Sequence, residues 1–238
     1  MRCAARAATS RWCGRSRLRA SCRAAAAIAT VLLSTGAARA EGEWRPVVAK
    51  EGVRVEQRLA PDRILPELRA TVEIDAGIFE VLAVIRDVPR QTEWMADCVE
   101  SRRLREEGSA VSVLYNRTGA PWPVSDRDVV LRAETILLEH EAIARVRFAN
   151  VADPAAPPID GFVRMPRLVG EYELAALAPD RTRVVYRLDI DPGGSLPAWA
   201  VTRTTRDTPL YTLLGLRRQV SATRGDYADS ISTWRLLR

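Results

Sequence analysis

The chain predicts an α+β fold in which one curved antiparallel sheet wraps around a long C-terminal helix, leaving an internal hydrophobic tunnel. Three observations predict it. Period-two segments follow one another from Val99 to Asp189, mostly with short turns between them, whereas parallel neighbours would need crossovers of a dozen or more residues. A mostly apolar stretch from Leu196 to Arg218 supplies the long cover that the apolar face of such a sheet requires. Asp191-Pro-Gly-Gly-Ser-Leu-Pro-Ala-Trp199 is built to join the two: Pro192 fixes φ, Gly193 and Gly194 take angles closed to other residues, Ser195 can cap a helix, and Pro197 suits its first turn.

The N-terminal 40 residues read as a cleavable signal peptide. Seven arginines and no acidic residue precede an apolar run from Ala24 to Leu33, and Ala38-Arg39-Ala40 supplies a small-residue cleavage site. The run is too short to span a bilayer, which takes about 20 residues. The expected location is therefore the periplasm of a Gram-negative bacterium, or outside the cell. Removing the eight arginines of residues 1–40 from the 36 basic residues leaves 28 against 30 acidic ones, a formal charge of −2. The basic excess thus belongs to the leader, and a nucleic-acid partner is not expected. Cys3, Cys13 and Cys22 also fall in the leader, so Cys98 stands alone and reads as a buried core thiol. Residues 41–222 are expected to form one domain with a sizeable core, and residues 223–238 a C-terminal tail.

After an approach through Trp44, Val53–Leu59 alternates apolar and polar residues, as does Glu67–Ile74. Asp75 is a candidate N-cap for a helix over Ile78–Arg86, which must stop before Pro89, and Gln91–Met95 reads as a second helical turn. Further strands are predicted at 99–105, 111–115, 128–138, 142–149, 167–177 and 181–189, with a hairpin turn at Glu106–Ser109. Ala152–Pro158 is a proline-rich loop too long for a hairpin. Pro209 falls inside the last helix and predicts a kink, because a mid-helix proline removes a hydrogen bond.

Two motifs carry a family resemblance. Trp122-Pro-Val-Ser-Asp-Arg-Asp128 and Asp191-Pro-Gly-Gly-x-Leu-Pro-x-Trp199, four strands apart, resemble the loop-to-strand segment and the start of the gripping helix in START lipid-transfer domains. The resemblance runs from about Trp44 to Val220. It implies the helix-grip fold and the binding, and transfer, of a lipid or other hydrophobic small molecule. Related helix-grip proteins include polyketide aromatase/cyclases, so an enzyme using the same cavity is the alternative.

The candidate ligand contacts follow from position and residue type. Trp122, a large aromatic on a loop, is a candidate gate or membrane-facing wedge for transient contact with a membrane surface. Trp199 and Leu210 lie in the apolar sector of the last helix, and Arg203 and Asp207, four residues apart, can form an ion pair there or meet a head group. Tyr115, Arg132 and Tyr186 are strand residues with polar tips, although periodicity does not say which face each one takes. Trp94, Phe148 and Met165 can line an apolar pocket or fill core. Arg127, between Asp126 and Asp128, can lock a turn.

Catalytic and metal sites are not expected. The sequence has no Gly-rich phosphate loop, no His/Cys/carboxylate cluster and no Gly-x-Ser-x-Gly elbow, and His140 is its one histidine. No cofactor and no metal are predicted.

Overall fold

The structure, a computed structural model, describes residues 42–59, 63 and 65–231. The leader lies outside them, as do Trp234 and Leu237 of the tail. The strands are β1 (Arg45–Lys50), β2 (Val53–Arg58) and β3 (Glu67–Ile74), then β4 (Cys98–Glu107), β5 (Val111–Thr118) and β6 (Arg127–Leu138), then β7 (Ile143–Asn150), β8 (Val163–Arg164), β9 (Arg167–Ala178) and β10 (Arg181–Asp191). They form one curved sheet in the order β1-β2-β3-β10-β9-β7-β6-β5-β4, antiparallel throughout, with the short β8 running parallel to the start of β6. The sheet is not closed into a barrel, and β1 and β4 are its edges.

Alternation decides the two faces. On β3, Leu68, Ala70, Val72 and Ile74 point inward and are buried, and their register partners on β10 include Val184, Tyr186 and Leu188. The opposite face is ionic. Glu171 on β9 meets Arg147 and Arg187, and Glu173 meets Arg145 and Arg187, so each carboxylate sits between two guanidiniums on the neighbouring strands. A strand with one wet and one dry face needs this pattern. β1 extends the edge beyond what alternation alone reveals, and Trp44 at its start lies between Arg58 and Arg69, 4.8 and 4.4 Å from its ring centre.

The helices are α1 (Ile78–Arg86), α2 (Gln91–Trp94), α3 (Ala198–Thr202) and α4 (Thr208–Ala222). Gly77, rather than Asp75, is the N-cap of α1, and its N–H donates to Glu80 at 2.8 Å. Ser195 does not cap α3 either, where Pro197 holds that position. The long predicted helix is continuous but irregular: a π turn over Arg203–Asp207 joins α3 to α4, and Pro209, the second residue of α4, follows this wider turn, where local π geometry accommodates a proline.

Helix α4 packs on α1, α2, β2 and β3. Gly215 makes the approach to α2 possible, since a Cβ there would lie 2.9 Å from the carbonyl carbon of Trp94. The tail turns back at 223–227, where Tyr227 packs on the core and donates to Asp87 at 2.8 Å. Cys98 is buried as expected, and burial pushes its thiol up to about 11.

Candidate ligand cavity

A cavity of about 180 Å³ lies between the inward face of the sheet and the roof made by α3, the π turn and the start of α4. Parity sets its walls. On β6, Arg127, Val129, Leu131, Ala133 and Thr135 face it, one residue in two; on β5, their register partners Thr118, Asn116, Leu114 and Ser112 do the same. Phe148 of β7, Tyr172 of β9, and Tyr186 and Leu188 of β10 continue the wall, while Leu196, Trp199, Ala200 and Thr212 face it from the roof. Further lining comes from the loop at Ala120, Pro121 and Val124, from Gln91, Met95 and Asp97, and from Met165.

One end is aromatic. Tyr172 stacks on Tyr186, and the ring of Phe148 is 5.9 Å from Tyr172 and 6.4 Å from Tyr186. Burial pushes the Tyr186 phenol up to about 12 and that of Tyr172 well above its ordinary value, so both keep their protons near neutrality. Another part of the wall is polar. Asn116 Nδ2 donates to Gln91 Oε1 at 3.1 Å, Ser101 Oγ lies 3.0 Å from the same oxygen, and Gln91 Nε2 donates to the Ile85 carbonyl at 3.3 Å. Gln91 and Asn116 are both buried and both line the cavity, where they can meet a hydroxyl or carbonyl.

Of the residues singled out from sequence, Phe148, Met165, Tyr186, Trp199 and Arg203 line the cavity. Trp122 is 92% exposed at the tip of the loop whose Pro121 and Val124 do so. The others are elsewhere. Tyr115 points to the opposite face of β5, where the proline-rich loop buries it with Val113, Val130 and Ala156 and where Arg102 lies over its ring at 4.6 Å. Arg132, also of outward parity, donates to Glu107 at 3.0 Å. Trp94 is core, edge-on to Tyr172 with centroids 6.4 Å apart. Leu210 is core as well.

The ion pairs also differ from expectation. Arg203 pairs with Asp97 across the roof, and Asp207 turns instead to its neighbour Arg206 at 3.2 Å. Arg203 still feels the Asp207 charge, but its hydrogen bonds go to Asp97, which approaches from outside the helix. The Asp-Arg-Asp segment is not its own lock. Asp128 receives both Nε and NH2 of Arg164, at 2.8 and 2.9 Å, and Asp126 accepts from the Ala120 N–H at 3.0 Å. Arg164 also holds the Asp128 carboxyl below its ordinary value. Gln91, Asn116 and Asp97 were not singled out from sequence; for Asn116 the signal is its place in register with Val129.

No group of three or more His, Cys, Asp or Glu side chains suited to a metal occurs among the described residues. No helix among them is long and apolar enough to cross a membrane.

Comparison with known proteins adds four findings. Residues 25–213 match the START domain family model. The uncharacterized protein PA1579 of Pseudomonas aeruginosa is 34% identical over 190 residues, covering 79% of this chain and 92% of that protein. START domain-containing protein 10 of Mus musculus is 25% identical over 169 residues, 70% of this chain and 57% of its own length. The crystal structure of a fragment of the STAR-related lipid transfer protein from Xanthomonas axonopodis superposes with a TM-score of 0.68 at 32% identity, over 75% of this chain and 98% of that one.

Proposed function

Because this chain belongs to the START domain family, we propose that it holds one lipid or other hydrophobic small molecule beneath α3 and α4 and exchanges it at a membrane surface. The observation that carries this reading is the cavity itself, partly open and roofed by α3, the π turn and the start of α4. Its walls are apolar on the sheet side, from Leu114 and Leu131 to Phe148 and Leu188, and on the roof side at Leu196 and Ala200. Apolar surface withdrawn from water there stabilises a complex by roughly 25 cal/mol per Å², and a few polar groups such as Gln91 and Asn116 can orient the guest.

Exposed Trp122 and Trp199, 92% and 44% accessible, flank the same mouth and suit an interface between water and acyl chains. The export reading of residues 1–40 puts this exchange in the periplasm or outside the cell, which fractionation of cells expressing the full chain tests.

Catalysis of the polyketide cyclase kind in the same cavity needs a proton donor or acceptor beside the substrate. Tyr115 and Arg132 face away from it, while the Tyr186 phenol, pushed up to about 12, can donate a proton there but is not a base near neutrality. The apolar lining and the family support binding as the better fit.

Native mass spectrometry of the purified protein, followed by titration of the delipidated protein with a fluorescent polyene acyl probe, tests the proposal. A bound lipid mass, and saturable probe binding abolished by the cavity-filling Leu131→Trp, are expected. A delipidated wild type that binds neither this probe nor a neutral ester of it would overturn the reading.

A further inference from the structure

Arg127 opens β6 on its inward face and lines the cavity, yet only 6% of the residue is exposed. Its hydrogen-bond partners are uncharged carbonyls. One guanidinium nitrogen donates to the Ser125 carbonyl and the other reaches the Gly193 carbonyl at 3.5 Å, while the buried Nε has no acceptor among the protein atoms. Every acid around the mouth is committed elsewhere. Asp126 accepts from Ala120 N–H and faces Arg117 at 3.7 Å, Asp128 is held in a fork by Arg164, and Asp97 pairs with Arg203 and accepts from Thr208. Among the described residues, Arg127 makes no ion pair.

Burying a guanidinium without a counter-charge is costly, and a buried donor left without a partner calls for an explanation. The cost is visible in Arg127 itself, whose pKa is lowered by burial with only Asp126 opposing. The planar fork suits a carboxylate or a phosphate, either of which can accept two parallel N–H bonds.

Resting on the lipid-binding reading above, we propose that Arg127 receives the anionic group of the guest, which makes the ligand class a hydrophobic anion with its carboxylate or phosphate under the Pro192–Gly194 turn and its apolar part running along Leu131 and Phe148. A narrow cavity of about 180 Å³ accommodates one chain or ring system behind that group.

Delipidated protein is titrated with cis-parinaric acid and with its methyl ester, which share one acyl chain while the ester lacks the charge and the two-oxygen fork of the carboxylate. The acid is expected to bind about tenfold or more tightly, as charge-assisted hydrogen bonds imply. Arg127→Gln should narrow the acid-to-ester ratio to within about twofold, and Arg127→Lys should leave an intermediate ratio. Displacement by palmitate against displacement by 1-palmitoyl-lysophosphatidate then separates a carboxylate from a phosphate, with lysophosphatidylcholine as the zwitterionic control. Equal affinity of the wild type for acid and ester, with both lost in Leu131→Trp, would overturn the assignment to Arg127 while leaving the container intact. Failure of both to bind would overturn the container reading and this inference with it. The wild-type comparison needs no variant, so it decides the matter even where Arg127→Gln does not fold.

Discussion

Tyr172 and Tyr186 are cross-strand partners on β9 and β10 whose rings stack 4.3 Å apart and 5° from parallel. The pair closes one end of the cavity from the sheet side, so it contributes both to the fold and to the shape available to a guest. Tyr186→Phe keeps the stack and is expected to change stability by less than about 1 kcal/mol. Tyr186→Ala removes it and is expected to cost about 3 kcal/mol by urea denaturation, while enlarging the cavity. Equal stability of the two variants would sink the idea that the stack supports the sheet.

Gly215 sets the distance between α4 and α2. Alanine is the better helix former by up to about 1 kcal/mol, but its Cβ would meet the Trp94 carbonyl, and overpacking costs about 1–3 kcal/mol. The clash is with backbone, which yields little. Gly215→Ala should therefore lower the denaturation midpoint despite its propensity, and a raised midpoint would show that α2 moves away freely.

Asp128 and Arg164 give a pH-dependent contribution whose sign follows from the depressed carboxyl. A carboxyl with a lowered folded pKa stabilises the fold above its unfolded value of about 3.9, and the contribution is lost as pH falls through the folded value. Asp128→Asn is expected to cost about 2 kcal/mol at pH 7, because it leaves Arg164 without its ionic partner. The gap between the two proteins should shrink as pH falls below about 4. A gap that stays constant from pH 7 to pH 2 would assign the loss to packing instead.

Trp122 tests membrane contact separately from binding. As a 92% exposed loop residue it should be replaceable by Ala with a stability change within about 0.5 kcal/mol. Acyl-probe affinity in solution should stay close to that of the wild type, and the rate of probe transfer to phospholipid vesicles should fall severalfold in a stopped-flow assay. An unchanged transfer rate would remove Trp122 from the exchange step.

The strands are legible because burial repeats every two residues along β3, β7 and β10, and α1 because its apolar run ends before Pro89. What alternation leaves open is which parity faces in where both faces of a strand are covered. On β5 and β6 the proline-rich loop, pinned by Arg105 to Asp153 and by Arg164 to the Ala156 carbonyl, buries the outer face as well, so Tyr115 looked as inward as Asn116. The roof differs for another reason: helical spacing offers Asp207 to Arg203, whereas Asp97, 106 residues away in the chain, takes the guanidinium, a tertiary contact that spacing does not reveal. Arg127 is visible in the Asp-Arg-Asp motif, but its lack of an ion pair with either flanking acid depends on Arg117 and Arg164, nine residues before the motif and 36 after it.

The ionic face of the sheet has a consequence for traffic through water. Glu171 and Glu173 are shared among Arg145, Arg147 and Arg187, so these side chains hold one another in place on the face away from the cavity. Under the binding reading proposed above, water meets the same lattice of charges on that side in the filled and the empty form. A partner that distinguishes the two forms would then have to read the mouth and its roof.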